Sequence, residues 1–253
     1  MGNFEVPTGL YTQYGVCTNV VCYYKTIMLI STDRQKMVRV DIEKIVNEYK
    51  TKSNPDDRYT SFDYCYNYFR ETKDLTRDIE KSCLVLGFYL ASWGMLRGSS
   101  FLLQKSIKHF QPTIQYISTL DKSVWGIDVD KYDEENIKTI IRIYKEVKDR
   151  LIFKGNADVT LITKVLLGVF AFMPAFDNYF CNTFREITDR QCGFRKVDLK
   201  SLTFIKTFYE VNKPAIDKLS KQTSTIDFIT GQRTTLNYPK AKIIDMYGFT
   251  AKQ

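Results

Sequence analysis

A chain of 253 residues that is 44% hydrophobic and 14% aromatic fits a folded globular protein, long enough to bury a sizeable core as one domain or two packed lobes. Its formal net charge of +8 is unevenly spread: from Arg190 onward 12 Lys and Arg stand against 5 Asp and Glu. That asymmetry marks either a surface meeting the phosphates of nucleic acid or lipid, or a solvated lysine-rich face. Six cysteines without a CxxC spacing and a single histidine, His109, exclude a clustered structural zinc site.

Reduced, mostly buried thiols point to a cytoplasmic protein. Met1–Leu10 lacks the basic segment and apolar core of a leader peptide. The apolar run Ser82–Leu96 is too short to span a bilayer, so a soluble protein with no membrane partner, metal or cofactor is expected. The whole chain reads as one globular helical domain over 1–253, which two packed lobes would divide into about 1–130 and 131–253.

The β-branched stretch Val16–Ile30 suits strand or helix equally. Val38, Ile42, Ile45, Val46 and Tyr49 then fall at helical spacing over 37–50. A turn-rich break, Thr51–Thr60, precedes a helix starting near Ser61 with Phe62, Cys65, Tyr66 and Phe69 on it. The run 82–110 predicts a central buried helix interrupted at Gly94 or Gly98. Pro112 and the segment after Leu120 read as a connection. Residues 135–153 predict an amphipathic helix with Ile137, Ile140, Ile141, Tyr144, Val147 and Leu151 on one stripe, capped by Gly155-Asn156.

The segment from Thr160 to Phe184 is almost wholly apolar, with one cation, Lys164, and one anion, Asp177. Pro174 forces Met173 out of the helical region, so the helix should break there and Asp177 should begin the next one, Asp177–Thr188. Asp198 is placed to cap a helix carrying Leu199, Leu202, Ile205 and Phe208, with Pro214 in the first turn of another. Lys221–Asn237 reads as a polar loop, and Pro239 opens a last helix with Ile243, Ile244 and Tyr247. The fold class is mainly α.

Three constellations carry candidate chemistry. A carboxylate such as Asp177 just beyond a buried helix must be paired, capped or used; under the structural alternative it caps the following helix and Lys164 snorkels to solvent. If it is only a cap, Asp177→Asn should cost little stability, since the amide oxygen can still cap. In the second constellation, Ala91–Ser100, Arg97 is flanked by glycines and hydroxyls (Ser99, Ser100, with Gln104 a turn later) and is suited to grip phosphate, while Trp93 offers a stacking plane for a base. Tight helix packing at Gly94 and Gly98 explains the same residues. The third, Asp63–Arg70, places Tyr66 and Asn67 where they could line a base pocket, or simply in an aromatic core. His109 has no role.

The succession Thr163-Lys164-Val165, apolar helix and Met173-Pro174-Ala175-Phe176-Asp177 resembles the helix-hairpin-helix superfamily of DNA glycosylases. The likeness covers about 30 residues, and of the family's hairpin glycines only Gly155 is present. It implies a compact two-lobed helical domain of that type, with Asp177 as the catalytic carboxylate and Lys164 as the lysine of lyase-type members. The Ala91–Ser100 and Asp177 segments, with Tyr238-Pro239-Lys240 and Asp245-Met246-Tyr247, are also similar to an uncharacterised bacterial family of helical proteins. That second likeness implies no activity.

The resulting expectation is an enzyme that flips a damaged or modified base from duplex DNA and cleaves its N-glycosidic bond, in genome repair or in defence against phage. Trp93, Arg97, Ser99, Ser100, Gln104, Asn67 and Tyr66 would contact the substrate. Lys240, Lys242, Arg195 and Lys196 would meet the DNA backbone. The competing expectation is a non-enzymatic helical module that binds nucleic acid or a protein.

Overall fold

The computed structural model describes residues 41–51, 54–153 and 158–252. It is mainly helical. The helices are α1 (Ile42–Lys50), α2 (Ser61–Glu71), α3 (Ile79–Ser92), α4 (Gln111–Ser118), α5 (Glu134–Leu151), α6 (Val159–Phe170), α7 (Asn178–Ile187), α8 (Leu199–Gln222) and α9 (Lys240–Thr250). A two-stranded antiparallel hairpin, β1 (Ser224–Ile226) and β2 (Arg233–Asn237), lies between α8 and α9, with Ser224 opposite Asn237 and Ile226 opposite Arg233. The β-branched stretch 16–30, Val38 and the Gly155-Asn156 cap lie outside the described residues. No described helix is long and apolar enough to cross a membrane.

Five helices start the same way. Asp41, Asp78, Asp133, Asp177 and Asp198 each accept a backbone N–H three residues on, satisfying one of the donors that a helix start leaves open. At α8 Ser201 returns the bond to the Asp198 amide, completing a capping box. The start of α9 is capped from elsewhere: Pro239 precedes it, and Asp128 takes the amides of Lys240 and Ala241 at 2.8 and 3.0 Å.

Two helices form the centre. Every residue of α6 from Leu161 to Phe170 is buried, as is every residue of α9 from Ala241 to Phe249. The first packs on α2, α3 and α5, the second on α1, α7 and α8. Close approach at α6 depends on Gly168: a Cβ there would lie 2.3 Å from the Tyr89 ring, whose hydroxyl donates to the Lys164 carbonyl at 3.1 Å.

The helix α6 ends at Phe170, three residues before the break expected at Met173. Ala171 adopts a left-handed conformation (φ 53°). The Ala171 N–H turns back to Leu166 O and Leu167 O, and Pro174 has no N–H to offer Phe170 O. Trp125 Nε1 donates at 2.9 Å to Val169 O, one of the carbonyls that a helix end leaves unpaired, and the Tyr132 hydroxyl donates at 2.6 Å to Phe172 O in the turn beyond.

Other expectations shift in detail. Pro112 sits in the first turn of α4 rather than in a connection. On α5 Ile143 is buried whereas Ile141 is partly exposed. Pro214, by contrast, falls where expected: the backbone leaves the helical region at Asn212, and Pro214 lies in the first turn of the second segment of α8. Within the expected loop 221–237, the hairpin forms because α2 supplies partners: the Asn67 amide donates to Ile226 O at 3.0 Å and Asp63 accepts the Ile226 N–H at 3.2 Å.

Candidate functional site

Asp177 and Lys164 meet. Lys164 Nζ donates to Asp177 Oδ2 at 2.8 Å, while Oδ1 accepts the Phe180 N–H at 3.0 Å. Lys164 does not snorkel; its side chain is 3% exposed and that of Asp177 13%. Asp177 is therefore both a helix cap and an ion-pair partner. Among the five aspartate caps it alone meets a buried ammonium; Asp198 also takes a lysine, Lys196 at 3.2 Å, but that lysine is 81% exposed and such a pair adds little.

The chain leading to Asp177 is fastened on two sides. Thr163 Oγ1 accepts the Phe176 N–H at 2.8 Å and Thr160 Oγ1 donates to Phe176 O at 3.0 Å, both from α6. From α9, Asp245 Oδ1 accepts the Ala175 N–H at 3.0 Å. A row of stacked rings, Phe176, Phe180 and Phe184, backs the turn, with Phe194 edge-on to all three.

A second buried lysine lies beside the first. Lys242 is 0% exposed and its Nζ donates to Asp245 Oδ2 at 2.9 Å. Trp93 joins the two: the Lys164 ammonium lies 4.6 Å and the Lys242 ammonium 5.1 Å from the indole ring. Phe249 and Tyr59 meet the same ring edge-on. Lys242 also lies 4.5 Å from the Phe62 ring. Beyond it is Asp63, buried on α2, whose Oδ1 accepts the Tyr238 hydroxyl at 2.5 Å. Burial lifts the Asp63 carboxyl to about 7, against the opposing pull of the Tyr238 bond, the Lys242 charge and the Ile226 amide.

Several expected contacts are corrected by this arrangement. Lys242 is sealed in the core and paired, so it is not available to a phosphate. Lys240 is turned back on Asp130 and Asp128, at 3.1 and 3.9 Å. Trp93 is occupied by two lysine nitrogens and three rings, Tyr59, Tyr89 and Phe249, so its face is not a free plane for a base. Tyr66 is buried and stacked flat on Phe62 as part of the core. Asn67 spends its amide on the hairpin, and its Oδ1 is buried with no partner among the described residues. Ser100 caps the short turn Phe101–Gln104 and donates to Met95 O.

Arg97, Ser99 and Gln104 are exposed, on the loop that begins at Trp93. Gly94 sits there at φ 74°, a left-handed conformation that favours glycine, with the Arg97 side chain folded over it. Arg195 and Lys196 are exposed as well.

Asp63 and Asp245 were within quoted motifs but carried no role. The signal for Asp245 was readable: Lys242 and Asp245 stand three apart, hence on one face, inside an otherwise apolar helix. Asp63 gave less, since its partners lie on β1 and at Tyr238, far along the chain. No group of three or more His, Cys, Asp and Glu able to hold a metal occurs among the described residues. No family model, curated protein or solved structure matches the chain.

Proposed function

We propose that this protein is a DNA base-excision enzyme in which Asp177 acts at the sugar of an extruded nucleotide. The observation that carries the proposal is the ion pair of Asp177 with a buried lysine at the mouth of a fastened turn. Cleavage of an N-glycosidic bond develops positive charge on the sugar ring, and an anionic carboxylate held beside the anomeric carbon stabilises that charge or orients the attacking water. Such a group must be held in place before the substrate arrives, and Thr160, Thr163 and Asp245 hold the chain around Asp177 in this way. Arg97, exposed on the loop that leaves Trp93, supplies a guanidinium for a phosphate near the same site.

A second reading draws on one specific observation: both oxygens of Asp177 already have partners. On that reading the pair is structural and the chain is a helical binding module for nucleic acid or protein.

Incubation with duplexes of varied and modified base content, followed by alkali, separates the two. Strand breaks at abasic sites are expected from the native protein. None are expected from the double variant Lys164→Gln/Asp177→Asn, which removes both charges together and so leaves no orphan in the core. Equal strand breakage by a folded double variant, or none from the native protein on any duplex, would overturn the enzymatic reading.

A further inference from the structure

The stretch from Arg185 to Lys200, the end of α7 and the connection into α8, is rich in exposed cations. The side chains of Arg185, Arg190, Arg195 and Lys200 are exposed and make no hydrogen bond or ion pair with any described residue. Elsewhere Lys138, Lys148, Arg150, Lys213, Lys218 and Lys240 each answer a carboxylate, while Lys44, Lys108, Lys145 and Lys221, spread along the chain, are exposed without an ion pair to a described residue. The stretch holds three carboxylates against five cations: Glu186, tied to Lys252 at 2.7 Å and also facing the Arg185 and Arg190 charges; Asp198, which caps α8 and takes Lys196; and the exposed Asp189. Cations remain in excess, and an incoming anion relieves their repulsion.

The connection is also held in an unusual shape. Asp189 (φ 48°), Arg190 (φ 61°) and Phe194 (φ 50°) are left-handed although none is glycine, a conformation that L side chains disfavour. Two anchors maintain it. Thr188 Oγ1 donates to Phe184 O at 2.8 Å, and Phe194 is buried against Phe176, Phe180 and Phe184. Phe176 immediately precedes Asp177, and Phe180 supplies the amide that Asp177 caps. One aromatic stack therefore fixes both the basic connection and the carboxylate.

The charges share that side of the molecule. Burial pushes the Cys181 thiol up to about 12, the Asp177 charge adds to the rise, and Arg195 and Arg185 oppose it. A single sulfur thus feels the carboxylate and two of the free guanidinium groups.

We infer that residues 185–200 form a docking surface for the sugar-phosphate backbone of duplex DNA, which lays the strand beside Asp177. Guanidinium groups on a rigid loop suit the bidentate geometry of phosphate oxygens. The inference rests on the base-excision reading for its choice of duplex DNA as partner, but it concerns binding and not bond cleavage.

The test is binding of a labelled duplex of about 20 base pairs across a salt series, since each neutralised phosphate adds about 0.9 to the slope of log affinity against log salt. Two preparations of equal helicity are compared with the native chain. In the first, Arg185, Arg190, Arg195 and Lys200 are changed to Gln. In the second, the exposed Lys44, Lys108, Lys145 and Lys221 are changed to Gln, an equal change of net charge.

The first is expected to lose about ten-fold or more in affinity, with a slope shallower by about 3. The second should lose much less. Equal losses in the two variants, absence of binding by the native chain at low salt, or a preference for anionic vesicles over the duplex would overturn the surface. Intact binding with the expected slope change but no base release from any duplex would uphold the surface while removing the enzymatic reading.

Discussion

Asp245 on α9 accepts the amide proton of Ala175 at 3.0 Å, two residues before Asp177, while its other oxygen holds the buried Lys242. The last helix of the chain thereby sets the backbone from which the candidate carboxylate projects. Removing one partner of a buried pair is far more damaging than removing both, because the survivor keeps its desolvation cost without its attraction. Asp245→Asn retains an acceptor for Ala175 but orphans Lys242, and should lose about 3–5 kcal/mol. The double variant Lys242→Met/Asp245→Asn should recover most of that loss. Urea denaturation decides it; a double variant no more stable than the single would mean that the pair is not what stabilises this region.

The same reasoning revises the expectation that Asp177→Asn costs little. An amide can keep the cap to Phe180, but it leaves Lys164 buried without a negative partner, so a loss of about 3–5 kcal/mol is expected. Lys164→Gln/Asp177→Asn should lie well above the sum of the two single changes, because contacting groups are not additive. A double-mutant cycle read by thermal melting checks this. Additive losses would show that the 2.8 Å contact contributes no coupling.

Asp63 gives the fold a dependence on pH. Its carboxyl, lifted by burial, keeps a proton up to about 7 in the folded chain, whereas in the unfolded chain it ionises near the ordinary value of about 4. Between those values the native state binds more protons, so its stability must fall as pH rises. The contribution is present in full below about pH 4 and is lost through about pH 7, on the order of 4 kcal/mol. Asp63→Asn should flatten this part of the profile, since the amide does not titrate. Urea midpoints measured from pH 5 to pH 8 on both proteins supply the comparison; parallel profiles would show that Asp63 is not the group responsible.

What the sequence made legible was local. Asp198 and Asp177 could be placed as helix starts because a cap depends on three following residues. The end of α6 was misplaced because Ala171 turns left-handed there and Trp125 and Tyr132, both some 40 residues away, take the carbonyls of Val169 in its last turn and of Phe172 just beyond it. The hairpin was hidden for the same reason: Arg233–Asn237 is polar and short, and the bonds that hold β1 come from Asp63 and Asn67, about 160 residues earlier. Lys242 was misassigned because a lysine in a basic segment usually faces water, and only its spacing to Asp245 argued otherwise. The meeting of Lys164 with Asp177 could be suspected from the resemblance, but the convergence of both lysines on Trp93 depends on the packing of α3, α6 and α9.

The position of Lys164 also limits the chemistry of any base release. An amine attacks the sugar only as the neutral form, with a free lone pair and a path to the anomeric carbon. Here the nitrogen is 3% exposed, is held by Asp177 at 2.8 Å and lies 4.6 Å from the Trp93 ring, so it is enclosed and has no open path to an anomeric carbon. The expected reaction is therefore hydrolysis alone: base release leaving an intact abasic strand, cut only by added alkali. Borohydride present during the reaction should trap no covalent protein–DNA adduct. The measurement is a denaturing gel of labelled duplex with the native chain, with and without borohydride, beside Lys164→Gln/Asp177→Asn. A borohydride-dependent adduct formed by the native chain and absent from the double variant would make Lys164 a nucleophile, and would require the ion pair to open when DNA binds.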